Sequence, residues 1–394
     1  MLIVTAAQMR ELDRLTIQKH ATPSLTLMER AGEGIAAAIL QRFGRAAKKG
    51  VLIVAGKGNN GGDGFVVARL LKKKRIPCEV ALLARRDELT PDAAHNLRAW
   101  VKLKGKISEI DANKLDLLSQ KIAKHGLLVD AILGTGTKNL VAGLFADAIT
   151  LMNVSGLPIV AVDIPSGMDT DKGHQLGVAI QAEMTVALGY PKLGEVIHPG
   201  LTYVGELVVA DIGIDSRAVV EVAPPTELLD LETIRWLVPR RQQDSHKGTY
   251  GHLLVVAGAR GKTGAAILSC RAAMRSGAGL VTLASPRALN TIFASSLVEV
   301  MTEPLGDDSS EQLEMLTDAD WRRLVERKNA LLFGPGIGVS EATQSATRWL
   351  LRNLDVPWVI DADGLNNLAL ELDRLRHAKT PPILTPHPGE MARL

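Results

Sequence analysis

Aromatic residues and cysteines are scarce in this chain of 394 residues: aromatics make up 3% of it, and there are two cysteines. So few aromatic side chains leave few stacking platforms for single-stranded nucleic acid. Cys78 and Cys270 have neither metal-site nor redox spacing, which favours reduced thiols in a cytoplasmic protein. No apolar run approaches the roughly 20 residues that cross a bilayer. We therefore expect neither nucleic acid nor a membrane as a partner.

The charges nearly balance, since the chain has 46 Lys and Arg residues and 43 Asp and Glu residues, which gives a net charge of +3. A balance this close does not mark a polyanion-binding protein. The opening "MLIV" is too short for a secretory leader and lacks a basic start. The length predicts two domains.

Short apolar runs that end in glycine or a polar residue recur along the chain, among them "VLIVAG", "LLVDAILG" and "PIVAVDIPSG". Helical patterns lie between them, for example over residues 26–40, with Thr26 and Glu29 as a capping box, and over residues 63–74. This alternation predicts an α/β fold with parallel sheets. The proline pair in "VAPPTE" predicts a boundary at about residue 224, hence domains at 1–223 and 224–394.

Three polar loops follow apolar runs of the first domain: "GKGNNGGDG" at residues 56–64, "GTGTKNL" at 134–140 and "DIPSG" at 163–167. Ligands of open α/β sheets bind beyond the carboxyl ends of the strands, so the three loops should meet at one site. Glycines there let backbone N–H groups approach an anion closely.

The first loop contains a G-x-G-x-x-G pattern (Gly56, Gly58 and Gly61), which is weak evidence for a dinucleotide. Arg85 and Arg86 could hold a 2′-phosphate, so an NADP-dependent oxidoreductase remains an alternative. Asn59, Asn60 and Asp63 are superfluous in a plain phosphate turn, and they favour a loop that reads polar ligand atoms.

Asp130 lies inside an apolar strand, where an unpaired carboxylate is costly. Two interpretations stay open: it caps a neighbouring loop through backbone N–H groups, or it coordinates a hard cation together with an asparagine oxygen and Ser166. Asp163 at a strand end is a candidate general acid or base, with capping of the "IPSG" turn as its alternative. We interpret His198 as structural.

The motifs "NNGGDG", "VDAILGTG" and "VDIPSG", in this order, resemble the NAD(P)H-hydrate epimerase family; "TAAQMRELD", "LMERAG" and "HPG" support this. The resemblance covers about residues 1–220. It implies a Rossmann-like N-terminal domain whose ligand is NADH or NADPH hydrated at C6 of the nicotinamide (NADHX or NADPHX). The dinucleotide would therefore be the substrate and not a hydride carrier. A non-catalytic nucleotide-binding scaffold remains a further alternative.

The resemblance also implies individual roles. Asp163 would be catalytic, and Asn60, Asp130 and Ser166 would bind K⁺. The implied substrate contacts are Asn59, Asn60, Gly61, Gly62, Asp63, Gly134, Thr135, Gly136, Thr137, Lys138, Asn139, Leu140 and Asp163. Thr137 and Lys138 depart from the residues common at these positions of the family.

In the second half, Gly261, Lys262 and Thr263 follow a strand, but the glycine that a phosphate-binding P-loop needs five positions before Gly261 is absent. The loops "GPGIG", "DADGLN" and "TPHPGE", together with "HKGTYGH", resemble the dehydratase partner of the same repair system. That resemblance covers about residues 228–394 and implies a ribokinase-like domain that uses ADP, with Mg²⁺ left open. Ala265, Ala266, Gly338 and His387 would line its substrate site.

In that dehydratase family, the nucleotide-binding stretch and the catalytic aspartate lie further on, beyond the position that corresponds to residue 394 of this chain. We therefore expect a truncated, incomplete second domain and a polypeptide that epimerises but does not dehydrate. The sequence leaves the oligomeric state open, including a homo-oligomer.

Overall fold

Two parallel sheets organise the chain. The computed structural model describes residues 1–238 and 240–394, which form two compact units, Met1–Val238 and Pro239–Leu394. The predicted domain boundary between residues 223 and 224 stays a prediction. Across both described ranges, no helix combines the length and the apolar character that crossing a membrane requires.

The first unit alternates strands and helices from its second to its sixth strand. Its strands are β1 Leu2–Ile3, β2 Val51–Ala55, β3 Cys78–Leu82, β4 Lys106–Glu109, β5 Leu127–Ala131, β6 Ile159–Val162, β7 Met184–Leu188, β8 Glu206–Ala210 and β9 Thr226–Glu227. Its α-helices are α1 Ala6–Arg14, α2 Ser24–Ala47, α3 Asn59–Lys73, α4 Pro91–Lys102, α5 Leu115–Ile122, α6 Leu144–Asn153, α7 Leu193–Val196, α8 Leu201–Val204, α9 Ser216–Val222 and α10 Leu231–Leu237.

Seven of these strands form one parallel sheet in the order β4-β3-β2-β5-β6-β7-β8. Strand β2 is buried along its whole length because helices cover both faces of the sheet. Val51, Ile53 and Ala55 contribute to one core, and the alternate residues Leu52 and Val54 contribute to another. A fully buried side chain of this size stabilises the fold by roughly 1.5–3 kcal/mol. The predicted parallel α/β fold is confirmed.

The order of strands reverses between β2 and β5, because β3 and β4 lie on one side of β2 while β6, β7 and β8 continue from β5 on the other. The loops that follow β2 and β5 therefore diverge around a crevice. Such a reversal is where open α/β sheets bind their ligands.

Two helix starts differ from the sequence-based expectation. Helix α2 begins at Ser24 after Pro23, without a side-chain cap, so the predicted capping box of Thr26 and Glu29 is wrong. Glu29 is instead paired with the buried Arg69 of α3. Helix α3 begins at Asn59 and not at residue 63, which places the asparagines and glycines of the first loop in its first turn.

The second unit is built in the same way. Its strands are β10 His252–Val256, β11 Leu280–Pro286, β12 Met301–Leu305, β13 Ala330–Phe333, β14 Trp358–Ile360 and β15 Ile383–Leu384. Its α-helices are α11 Thr263–Ser276, α12 Asn290–Ser296, α13 Asp318–Val325, α14 Glu341–Asn353, α15 Asp363–Ala369, α16 Leu372–Leu375 and α17 Pro388–Met391. The strands form a parallel sheet in the order β12-β11-β10-β13-β14-β15, which reverses between β10 and β13.

Candidate functional site

A cavity of about 750 Å³ opens at the carboxyl edge of the first sheet. Its wall is supplied by residues that follow β2, β5 and β6, by the end of β7, and by α1 and α2. The predicted site residues that line it are Asn59, Asn60, Asp63, Gly134, Thr135, Gly136, Thr137 and Asp163. The structure thus brings the three predicted loops together.

The glycines of the first loop are required by close packing against neighbouring backbone. A Cβ atom on Gly61 would lie 2.1 Å from the carbonyl oxygen of Gly56, and one on Gly56 would lie 2.0 Å from the carbonyl oxygen of Ile132. Gly61 and Gly62 are buried in the first turn of α3 and are not among the residues that line the cavity, so they shape the loop. Their predicted contact with a substrate stays a prediction.

This packing predicts that Gly61→Ala strongly destabilises the first unit, because backbone atoms cannot move aside for the methyl group as a flexible side chain would. We expect a loss of at least about 2 kcal/mol in the free energy of unfolding, within the range for overpacked interiors, measured by urea denaturation. Gly58→Ala is the matched control, since a Cβ there meets nothing within 4 Å. Equal stability of the two variants would contradict the close approach.

The second loop turns away from the cavity after Thr137. Lys138, Asn139 and Leu140 are exposed, and Leu140 is 76% accessible to solvent. None of the three lines the cavity. Their predicted contact with a substrate stays a prediction, and in this conformation they form the outer part of the loop.

Asp163 forms an ion pair with Lys192 on the cavity wall. The backbone of Asp163 has a left-handed φ of 66°, and its Oδ1 accepts hydrogen bonds from Lys192 Nζ and from the backbone N–H of Leu188 at 3.0 Å. The carboxylate therefore contacts the segment after β7 and does not cap the "IPSG" turn. Sequence reasoning missed Lys192, although a lysine four residues after an apolar strand, in "ALGYPK", was a usable signal.

Lys192 is fully buried. Burial lowers its pKa, but the opposing interactions, led by the charge of Asp163, outweigh this and raise the pKa above its usual value. Glu195 Oε2 accepts a 2.6 Å hydrogen bond from the backbone N–H of Lys192. Burial raises the pKa of Glu195 to about 8, so this carboxyl group is mostly protonated at neutral pH. The ammonium group of Lys192 therefore forms its ion pair with Asp163.

Two further carboxyl groups on the cavity wall lie close enough to Asp163 to interact with its charge. Burial, followed by the charge of Asp163, raises the pKa of Asp13 to about 6. The same two causes raise the pKa of Asp63 well above its usual value. Asp63, whose pKa is raised, and the ion-paired Asp163 therefore share one wall. Two carboxyl groups in different environments can supply an acid and a base in one site. Sequence reasoning missed Asp13, which α1 brings in from the N-terminal segment.

Asp130 ties β5 to the loop after β6. Its Oδ2 accepts from the Ser166 backbone N–H at 2.8 Å, and its Oδ1 accepts from Ser166 Oγ at 2.6 Å and from Ile132 N–H at 3.2 Å. Asn60 Nδ2 donates to the Leu133 carbonyl at 2.8 Å. Burial outweighs these hydrogen bonds and raises the pKa of Asp130 to about 6. The loop-capping interpretation is thus realised, alongside a cluster of oxygen atoms.

In the second unit, the predicted residue Gly338 is held at both backbone groups. Its N–H donates to Asp363 Oδ2 at 2.9 Å, and its carbonyl accepts from Asn367 Nδ2 at 2.9 Å. Lys262 Nζ donates to the same Asp363 oxygen at 2.8 Å. Burial opposes ionisation, but the bonds from Lys262 and Gly338 outweigh it and lower the pKa of Asp363. Lys262 is thus engaged with a carboxylate.

The other predicted residues of this unit occupy neighbouring strand ends. Ala266 is buried and Ala265 is partly buried at the start of α11. A Cβ on Gly336 would lie 3.3 Å from the Ala265 Cβ, so the loop that carries Gly338 packs against this helix. His387 caps α17, since its Nδ1 accepts from the Gly389 N–H at 3.0 Å. Its predicted contact with a substrate stays a prediction.

Comparison with known proteins assigns both units. The family model "YjeF-related protein N-terminus" matches residues 24–194, and the model "NAD(P)H-hydrate dehydratase" matches residues 253–394. The bifunctional NAD(P)H-hydrate repair enzyme of Moorella thermoacetica is 42% identical over all of this chain and 75% of its own length. The chain belongs to the bifunctional NAD(P)H-hydrate repair enzyme family. The corresponding enzyme of Salinibacter ruber is 38% identical over the same shares.

Solved structures with partial similarity include the yeast protein ynu0, which is 30% identical over 50% of this chain and 83% of its own, with a TM-score of 0.45. The ADP/ATP-dependent NAD(P)H-hydrate dehydratase of Bacillus subtilis, co-crystallised with ATP and Mg²⁺, is 32% identical over 41% of this chain and 53% of its own, with a TM-score of 0.32. The family assignment rests on the sequence relatives.

Two sequence-based expectations are not supported. The relatives match the whole chain, which gives no support to the expected truncation. Membership of the family also disfavours the oxidoreductase and scaffold alternatives. Arg85 and Arg86, the candidate 2′-phosphate ligands, are instead paired with Asp87 at 2.6 Å and Glu109 at 2.7 Å.

Proposed function

We propose that the first unit of this chain interconverts the R and S forms of NADHX and NADPHX, and that the second unit dehydrates the S form with ADP to restore NADH or NADPH. The observation that carries the first activity is Asp163, which lines the 750 Å³ cavity together with Asp63 and is ion-paired to the buried Lys192 behind it. Family membership supports the second activity.

Epimerisation at C6 needs a proton delivered and a proton recovered. The hydrated carbon carries a hydroxyl group next to the ring nitrogen, and inverting it requires a C–O or C–N bond to break and form again. Asp163 is proposed to move this proton through Oδ2, because Lys192 and Leu188 both donate to Oδ1. Among the described residues, no donor reaches Oδ2. Asp63, whose pKa is raised by burial and by the charge of Asp163, is a second carboxyl group on the same wall.

The dinucleotide is proposed to contact the first turn of α3 and the loop after β5. Asn59, Asn60 and Asp63 present polar atoms to the cavity, and Gly134, Thr135, Gly136 and Thr137 present loop backbone. The N-terminus of a fifteen-residue helix favours a pyrophosphate. Lys57 also lines the cavity and adds a positive charge.

Potassium is proposed to bind beside this loop. Asp130 Oδ1, Ser166 Oγ and the Leu133 carbonyl lie within one hydrogen-bonded cluster, and Asn60 reaches the same carbonyl. The candidate ligand atoms of Asp130, Ser166 and Leu133 are all oxygens, and only one belongs to a carboxylate, which suits a hard monovalent ion better than a divalent one. The residues therefore fit the ion, which, when bound, would supply positive charge next to the loop after β5.

Two changes should weaken hydrate binding if the ion is present: Asp130→Ala in the protein, and replacement of K⁺ by tetramethylammonium in the buffer. We expect each to raise the Kd by about tenfold, the low end for loss of a structural ligand. Asp130 also ties two segments together, so the decisive readout is titration calorimetry of Asp130→Ala in both salts. The variant should have lost the dependence on K⁺. Wild-type affinity that is indifferent to the cation would remove potassium from the proposal.

For the second unit, Ala265, Ala266, Gly338 and His387 are proposed to face the hydrate, with ADP and Mg²⁺ as its partners. The Lys262–Asp363–Gly338 contacts hold the loop after β13 against the start of α11. This is the strand-order reversal of the second sheet, which is the expected position for a ligand.

The proposed function is tested with purified R and S forms of NADPHX and the full chain. Chromatography should show that either form is converted into the equilibrium mixture without nucleotide. Addition of ADP and Mg²⁺ should then restore the absorbance of reduced nicotinamide. A chain that leaves pure R-NADPHX unchanged lacks the first activity, and one that epimerises without ADP-dependent recovery lacks the second.

A further inference from the structure

A second cavity, of about 460 Å³, opens at the edge of the first sheet opposite Asp163, where β2, β3 and β4 begin. Six lysines line this cavity, which we call the lysine cavity: Lys49, Lys72, Lys104, Lys106, Lys121 and Lys124. Glu79 is the only carboxylate that lines it. The proposed repair chemistry uses none of these residues.

The positive charge of the lysine cavity is a local excess. Six lysines against one glutamate exceed the net charge of +3 of the entire chain, so the near balance of the whole sequence conceals a basic site. Helices α2, α3, α4 and α5 end at this edge. Each C-terminus carries about half a negative charge, so together they offset about two of the six lysines. The helix ends account for single lysines but not for six around one cavity.

Several of these ammonium groups are held in place before any ligand arrives. Glu79 lies 2.7 Å from Lys121 Nζ and 3.4 Å from Lys106 Nζ. Lys72 Nζ donates to the Lys104 carbonyl at 3.0 Å. A ligand that meets already positioned charges loses less side-chain entropy on binding. Lys49 and Lys124 are exposed and have no ion-pair partner among the described residues, so they are free to contact an anion.

We propose that the lysine cavity binds a condensed phosphate chain, either as free pyrophosphate or tripolyphosphate or as part of a nucleoside di- or triphosphate. Lysine is a compact point charge with three donors, which suits the dense charge of linked phosphates. The volume lies in the range of small-molecule sites. Among the described residues, no Phe, Tyr or Trp lines the cavity and His125 is its only aromatic ring, so it has few of the stacking groups with which proteins hold single-stranded nucleic acid.

The test is titration calorimetry of the full chain with sodium tripolyphosphate at about 0.15 M KCl, where only nearby charges interact strongly. Lys49→Gln/Lys124→Gln should bind about tenfold more weakly, since two exposed charge contacts contribute several-fold each. Lys73→Gln/Lys102→Gln is the matched control, because both lysines are exposed and neither lines the cavity. Its affinity should stay within about twofold of wild type.

Further titrations distinguish free condensed phosphates from nucleotides and test single-stranded nucleic acid as the alternative ligand. Pyrophosphate that binds as tightly as ATP would identify the phosphate chain alone as the ligand. A weaker affinity for ATP in the Lys49→Gln/Lys124→Gln variant would assign ATP binding to this cavity and not to a nucleotide site of the second unit. Three results would each overturn the proposal. They are absence of tripolyphosphate binding, equal affinity of both double variants for tripolyphosphate, and tighter binding of a labelled single-stranded oligonucleotide that tripolyphosphate cannot displace. Thermal unfolding checks that all variants are folded.

Discussion

Asp163→Asn should lower the rate of epimerisation of NADPHX by at least about 100-fold, the low end for loss of a general acid or base. An amide cannot carry the proton that the carboxylate moves, whereas its oxygen can still accept from Leu188 N–H and Lys192 Nζ as Asp163 Oδ1 does. The fold should therefore be kept, although stability should fall because the buried Lys192 loses the charge of its partner. The measurement is the initial rate of interconversion of purified R-NADPHX, followed by chromatography.

The matched control is Asp116→Asn, which also removes one carboxylate but lies exposed on α5, away from the cavity. Its rate should equal that of the wild type. Circular dichroism and urea denaturation establish that both variants are folded under assay conditions. A folded Asp163→Asn variant with an unchanged rate would exclude Asp163 from proton transfer.

The residues predicted correctly from the sequence lie at strand ends. Buried parallel strands produce continuous apolar runs, so the residue after each run marks the carboxyl edge of the sheet. Asn60, Gly134 and Asp163 follow three such runs, and they line one cavity. The topology of a doubly wound sheet brings them together whatever lies between them, which is why local patterns were sufficient for this part of the site.

Other features depend on contacts between distant segments, and local patterns do not determine those. Asp13 reaches the cavity because α1 packs beside it. Thr26 and Glu29 have the spacing of a capping box, but tertiary contacts dominate: α2 extends back to Ser24, and Glu29 pairs with Arg69 from α3. The loop after β5 lines the cavity only as far as Thr137. Nothing in its sequence indicates where it turns outward.

The local charge of the lysine cavity could not be predicted from the sequence for the same reason. Its lysines lie in four separate segments of the chain, and each segment alone resembles the basic end of a helix or an ordinary turn. Only the sheet, which aligns the starts of β2, β3 and β4, makes them neighbours. A near balance of total charge therefore says little about the field at one edge of a sheet.

Lys192→Met should destabilise the first unit by about 3 kcal/mol or more, because removing one partner of a buried ion pair leaves the other charge uncompensated. Lys192 is fully buried and contacts Asp163, and the charge of Asp163 already acts on Asp13 and Asp63. Epimerisation should fall by at least about tenfold, because the carboxylate loses the group that orients it. Urea denaturation and the chromatographic assay measure the two effects.

The double variant Asp163→Asn/Lys192→Met separates the structural role of the pair from its catalytic role. With both charges removed, no uncompensated carboxylate is left at position 163, so the double variant should be more stable than Lys192→Met by at least about 1 kcal/mol. It should nevertheless remain as inactive as Asp163→Asn, because the proton-transferring group is absent. Additive losses of stability would show that the two side chains are not coupled, and recovered epimerisation would show that the ion pair stabilises the fold without taking part in the reaction.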